Sequence, residues 1–132
     1  MKESVATMNI LNDLKTLGLC LAIDDFGVGH SSMNQLQKLP VDAITVDRSF
    51  VMNIAGRERD GIGAKAIIGL AKNLGLHVTA EGVETTTQVE FLRRYQCEEA
   101  QGHYYSPPIP AQQVPQFVAS MTDMRRSMSE PL

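Results

Sequence analysis

Leu21-Ala22-Ile23-Asp24-Asp25-Phe26-Gly27-Val28-Gly29 is the stretch on which the fold turns. An apolar run from Leu19 to Ile23 ends abruptly in two carboxylates. A short apolar run bounded by a turn signal fits a buried parallel strand. Two aspartates then sit at its carboxyl end, where α/β proteins keep their sites. Gly27 and Gly29 permit positive φ or the close approach of a ligand. Adjacent acids at a strand end are costly unless a cation or hydrogen-bond donors compensate them. Alone, an Asp-Asp pair is more often a solvated turn, so the rest of the chain decides.

Outward from that stretch the pattern repeats. Upstream, Val5, Met8, Leu11 and Leu14 recur at helical spacing, and Gly18 supplies a stop. Downstream, Ser31 or Ser32 is placed to cap a short helix through Leu36, and Pro40 ends it. Val41 to Val46 reads as a second strand, closing on Asp47. A helix-like stretch from Ser49 is interrupted between Gly56 and Gly63, and Ala64 to Leu74 is an amphipathic helix terminated by Gly75. Leu76 to Ala80 is a third strand with Glu81 at its end. Thr85-x-x-Gln88 is a capping box that opens a helix carrying Val89, Leu92 and Tyr95. A fourth strand is expected over Ala100 to Tyr105, broken by Pro107, Pro108 and Pro110. Val114 to Met121 reads as a last helix, so the domain is drawn over residues 1–121 with a polar tail at 122–132.

Helix followed by four strand–helix units means an α/β fold with a parallel sheet. A (β/α)₈ barrel takes about 31 residues per unit, so 132 residues hold four units, a partial TIM-like barrel. An open doubly wound sheet is the competing architecture. The strand ends offer Asp24 and Asp25, then Asp47, then Glu81 with Glu84, then Gln101. Hard oxygen donors without clustered His or Cys suit Mg²⁺, Mn²⁺ or Ca²⁺. Gln101 reads equally as a residue that orients water or as a satisfied polar group.

Composition narrows the classes. A net charge of −3 argues against a broad DNA footprint. Cys20 and Cys97 stand alone, which reads as free thiols in a reducing cytoplasm. No apolar stretch approaches the roughly 20 residues of a membrane span, and Met1 to Ser4 shows no signal-peptide core. Asp25-Phe26-Gly27 spells a kinase D-F-G, but no Gly-rich loop or H-R-D accompanies it.

Taken together, these residues resemble an EAL domain. The likeness rests on Ile23 to Gly27 with Gly29 and Ser31-Ser32, on Leu39-Pro40-Val41-Asp42, and on Val46 to Val51. Ala80-Glu81-Gly82-Val83-Glu84 and Gln101-Gly102 with Ser106, Pro108 and Pro110 continue it in order. The resemblance implies hydrolysis of cyclic di-GMP to linear pGpG with Mg²⁺ or Mn²⁺. It implies Asp24, Asp25 and Glu81 as metal ligands, and Asp25, Glu81 and Gln101 as catalytic residues. Asp47, Arg48 and Pro108 would bind substrate, and Glu3 and Glu84 would support the loop after Asp25.

The departures are specific. The Glu-Ala-Leu signature is absent, with an asparagine and another glutamate of the family's metal site. Thr45 stands where the family has a lysine, Val28 and His30 where it has Thr and Tyr, and Pro107 where Arg or Lys is frequent. The expectation is therefore the carboxyl-terminal half of the domain, weakly active or inactive alone, with loosely held metal. The alternatives are a non-catalytic EAL module acting through protein interactions and the downstream half of a longer protein. A half-barrel with open edges, and with Ile44, Val46 and Val78 exposed on its inner face, also predicts a homodimer.

Overall fold

The computed structural model describes residues 5–28 and 33–129; for residues 33, 35, 58 and 123–129 only the backbone is described. Four strands lie side by side in chain order, all parallel: β1 (Ala22–Ile23), β2 (Ala43–Val46), β3 (His77–Ala80) and β4 (Glu99–Ala100). The helices are α1 (Val5–Thr16), α2 (Met33–Lys38), α3 (Arg48–Met52), α4 (Ile62–Asn73), α5 (Thr86–Arg94) and α6 (Val114–Ser129). Strand order distinguishes the two expected architectures. A doubly wound sheet reverses direction at a switch point, whereas a barrel wedge adds each strand beside the last. The order β1-β2-β3-β4 is that of a partial (β/α) barrel.

The core lies between the sheet and one helical layer. Ile44, Val46, Val78 and Ala80 are fully buried, and their register pairs Ile44 with Val78 and Val46 with Ala80. They join Ala64, Ile67, Ile68 and Ala71 of α4 and Val89, Phe91 and Leu92 of α5. The expected exposure of Ile44, Val46 and Val78 on the inner face is thus incorrect. Strand side chains alternate, and all three point into the helical layer. The opposite face carries Ala22, Ala43, Thr45, His77, Thr79 and Glu99, which are small or polar.

Three helices hand over to their strands in the same way. Gly18 N–H donates to the Lys15 carbonyl at 2.9 Å and Leu19 N–H to that of Leu14 at 3.3 Å. Gly75 N–H pairs with Lys72 and Leu76 N–H with Ala71 after α4; Gln96 N–H pairs with Arg93 and Cys97 N–H with Leu92 after α5. This is the Schellman arrangement, whose C′ residue takes positive φ. Gly18 and Gly75 fill that position after α1 and α4, but Gln96 fills it after α5 at φ 62°.

The fourth strand is shorter than expected. It pairs over Glu99–Ala100, and residues 102–105 form a turn. Just past its end Gly102 packs against the Val83 backbone, where a Cβ would lie 2.2 Å from the Val83 carbonyl oxygen. The last helix, by contrast, outruns the expected polar tail by reaching Ser129, since no Gly or Pro follows Pro115 until Pro131. The capping serines Ser31 and Ser32, and Glu3, lie outside the described residues. No helix of the described residues is long and apolar enough to cross a membrane.

Left-handed backbone at a non-glycine residue costs about 1–2 kcal/mol, partly offset in a glycine by its larger unfolded-state entropy. Gln96→Gly is therefore expected to raise stability by up to about 1 kcal/mol in urea unfolding. A loss of stability would show that the Gln96 side chain contributes more than its backbone costs.

Candidate functional site at the carboxyl edge of the sheet

The register that buries the core also assembles the polar edge. Ile23, Val46, Ala80 and Ala100 end their strands with side chains toward the helices. The residues that follow, Asp24, Asp47, Glu81 and Gln101, fall on the opposite face by alternation. Glu81 N–H donates to the Val46 carbonyl at 3.0 Å and Gln101 N–H to the Ala80 carbonyl at 2.9 Å, extending the ladder past the strands. Asp24, Asp25 and Asp47 all act electrostatically on Glu81. Asp24, Asp25, Asp47 and Glu81, four of the five acids expected at the strand ends, are therefore neighbours.

Asp25 occupies the turn after β1 in left-handed backbone, φ 55°. Its N–H is held by Asp24 Oδ1 at 2.9 Å, and its carbonyl accepts from Val28 N–H at 3.0 Å. Strained non-glycine backbone of this kind clusters at functional sites. Gly27 follows at φ 86°, where a Cβ would press on the Phe50 ring at 3.1 Å. This close approach seats the turn against α3 and α4.

The charges are unequal in their compensation. Asp47 caps α3, its Oδ2 accepting from Ser49 N–H at 2.9 Å. Hydrogen bonds from Ser49 hold its carboxyl below the usual aspartate range. The Asp25 carboxyl is raised, first by its hydrogen bond to Asp47 and then by the Asp24 charge. Glu81 is raised by partial burial and by Asp24, Asp47 and Asp25 in turn. Arg48 brings a cation to this edge, its guanidinium 3.7 Å from Glu84. Gly82, at φ 74°, lies over the stem of Arg48, where a Cβ would be 2.5 Å from Arg48 Cγ.

The other site candidates divide. Glu84 is paired with Arg48; residues 29–32, the remainder of the loop that it is expected to support, lie outside the described residues. Thr45 is buried on the acid-bearing face, in register with Thr79. Its hydroxyl supplies no positive charge. Pro108 is exposed in the segment after β4. The donor chemistry fits a hard divalent cation: clustered carboxylate oxygens with unbalanced charge. Among the described residues, however, no group of three His, Cys, Asp or Glu side chains is placed to hold one.

Sequence reasoning missed a second polar grouping at the opposite end of the sheet. His77 Nδ1 lies 2.5 Å from Glu98 Oε2, and its Nε2 lies 3.0 Å from Glu99 Oε1. The second approach is not aligned as a hydrogen bond. The alternation of β3 with the acidic start of β4 was the available signal.

A family profile described as the EAL domain matches residues 1–108. The chain is 48% identical over 112 residues to the cyclic di-GMP phosphodiesterase NbdA of Pseudomonas aeruginosa, covering 85% of this chain and 14% of that protein. Among solved structures it resembles the PaMucR phosphodiesterase in complex with cyclic di-GMP, with TM-score 0.78 and 39% identity over 86% of this chain and 46% of that one. It also resembles Klebsiella pneumoniae BlrP1 in a complex with calcium and cyclic di-GMP, with TM-score 0.69 and 32% identity over 77% of this chain and 26% of that one. The chain thus spans less than half the length of each of these relatives. With its sequential parallel strands and their acidic carboxyl ends, the chain belongs to the EAL domain family.

Proposed function

We infer that this chain forms the carboxyl-terminal wall of a metal-dependent cyclic di-GMP phosphodiesterase site, and that as a 132-residue polypeptide it binds the dinucleotide weakly and hydrolyses it slowly or not at all. The observation that carries the reading is the gathering of Asp24, Asp25, Asp47 and Glu81 within electrostatic reach at the carboxyl ends of adjacent parallel strands. Asp24, Asp25 and Glu81 are the residues that would hold Mg²⁺ or Mn²⁺, which when bound supplies charge to the phosphodiester and acidifies water. Asp25, whose carboxyl is raised by the neighbouring Asp47 and Asp24, is suited to taking a proton from the attacking water. The Gln101 amide has both donor and acceptor with which to orient that water. Arg48 offers charge to a phosphate, and Asp47 and Pro108 complete the substrate contacts.

Two features support low activity. Thr45 supplies no cation where the family lysine stands, and no three described acids converge on one ion. A shell of this kind leaves the ion mostly hydrated and loosely held. Each lost transition-state contact costs about 10²–10³ in rate. The second reading, a non-catalytic EAL module that regulates cyclic di-GMP signalling through a partner, is favoured by the same two features. A second copy of the chain is one candidate partner. It would pair against the open edges β1 and β4, through a face that is polar rather than apolar. The free thiols Cys20 and Cys97 suit a cytoplasmic setting, and the net charge of −3 suits a partner other than DNA.

The direct test is turnover of cyclic di-GMP with Mg²⁺ or Mn²⁺. No detectable pGpG is expected. Turnover of about 1 s⁻¹ or more, an ordinary enzymatic rate, would overturn the low-activity reading. Removal of one acid tests the crowding. A carboxyl raised in the folded state binds its proton more tightly there than in the unfolded chain. Its contribution to stability is lost as pH rises through the folded value. In chelator, Glu81→Gln is therefore expected to raise Tm at pH 7 and to leave it nearly unchanged near pH 3. A lower Tm at pH 7 would show that the carboxylate is compensated.

A further inference from the structure

Gln88 is the most deeply placed polar side chain of this region, 5% exposed, and its hydrogen bonds reach beyond the helix that it caps. Its Oε1 accepts from Glu84 N–H at 2.7 Å and from Thr85 N–H at 3.1 Å. Two backbone donors on one oxygen fix the orientation of the amide. The amide nitrogen is thereby turned outward and donates to the Val51 carbonyl at 3.2 Å, across 37 residues of sequence. Val51 lies in the last turn of α3, and its carbonyl also accepts from Ile54 N–H at 3.1 Å, so the Gln88 amide is a further donor that reaches it from another helix. The amide thus ties the end of α3 to the loop that carries Glu81 and Glu84.

The two segments so tied form two sides of the acidic edge. α3 begins with Asp47 as its cap and Arg48 as its first residue. The loop from Glu81 to Glu84 touches α3 again through Gly82 on the Arg48 stem and through the Arg48–Glu84 pair. It is bound to β4 on its other side: Val83 N–H donates to the Gln101 carbonyl at 3.0 Å, and Tyr104 N–H to the Val83 carbonyl at 2.9 Å. An exposed ion pair such as Arg48–Glu84 holds little by itself, whereas a buried amide with partners on both its oxygen and its nitrogen resists opening.

The geometry points to Gln88 as a positioning residue that sets the spacing between the Asp47–Arg48 side of the site and the Glu81–Glu84 side. It acts through Val51 and the Glu84 backbone and touches neither substrate nor metal. This assignment rests on the functional reading for the roles of Asp47, Arg48, Glu81 and Glu84, but the clamp itself does not.

Gln88→Glu separates the clamp from the helix cap. Glutamate keeps the acceptor oxygens that a capping box uses, and it sets an acceptor in place of the donor opposite the Val51 carbonyl. Thr85→Ala is the complement: it removes the acceptor for Gln88 N–H and leaves the Val51 bond. Amide exchange by NMR is the readout. Gln88→Glu is expected to speed exchange at Glu81 and Val83 by at least about tenfold, while Thr85→Ala speeds exchange only in the first turn of α5. Equal patterns in the two variants would reduce Gln88 to a cap and overturn the clamp. Should Gln88→Glu fail to fold, the unsubstituted chain decides: side-chain amide protons of Gln88 must exchange at least about tenfold more slowly than those of exposed Gln112, and equal rates overturn the clamp. In calorimetry with Ca²⁺, Gln88→Glu is expected to weaken cyclic di-GMP binding by at least about tenfold, and Thr85→Ala by less than about twofold. Failure of the unsubstituted chain to bind counts against the functional reading, and exchange still decides the clamp.

Discussion

The pairing of Ile44 with Val78 and of Val46 with Ala80 is the constraint on which the molecule depends. These four side chains are sealed beneath α4 and α5. Alternation along a strand then leaves no freedom in what the other face presents. Thr45, Thr79 and the acids beyond the strand ends must lie opposite the helices. A slip of one residue in either strand would bring hydroxyls into the core and turn the buried apolar groups to the open face. Core burial and site assembly are thus one interaction seen from two faces of a sheet.

The acids gathered by that register are unequally supported. Asp47 draws on the N–H groups at the start of α3, so its charge is already balanced by a cap. Asp25 shares its hydrogen bond with another acid, and Glu81 faces three of them. The backbone adds to this, with Asp25 left-handed and Gly82 pressed over Arg48. Like charge gathered at one edge is costly unless a cation or hydrogen-bond donors meet it. The opposite end of the sheet differs, for there Asp42 is met by Lys15 and by Leu21 N–H, and its carboxyl is lowered.

Much of this was legible from residues alone. Apolar runs that stop at Asp24, Asp47 and Glu81 marked three strand ends, and Gly75 and Thr85-x-x-Gln88 marked where helices stop and start. The face assignment of Ile44, Val46 and Val78 was not legible, because V-D-A-I-T-V lacks the clear apolar–polar contrast that would separate its two sides. The need for glycine at 102 was hidden because it arises from the backbone of Val83, nineteen positions earlier in the chain. Gln96 gave no sign of its left-handed turn, since the local signal for that position is glycine. The Gln88 amide read as a cap, and its bond to Val51 exists only after α3 and α5 are brought together by the sheet.

Mn²⁺ broadening of backbone resonances tests the central claim most directly, because it reports where a divalent cation settles without requiring turnover. The account predicts that substoichiometric Mn²⁺ broadens residues 24–25, 47–48, 81–84 and 101 together and leaves the far end of the sheet sharp. Broadening centred on Asp42, His77 and Glu98, with the carboxyl edge unaffected, would contradict it.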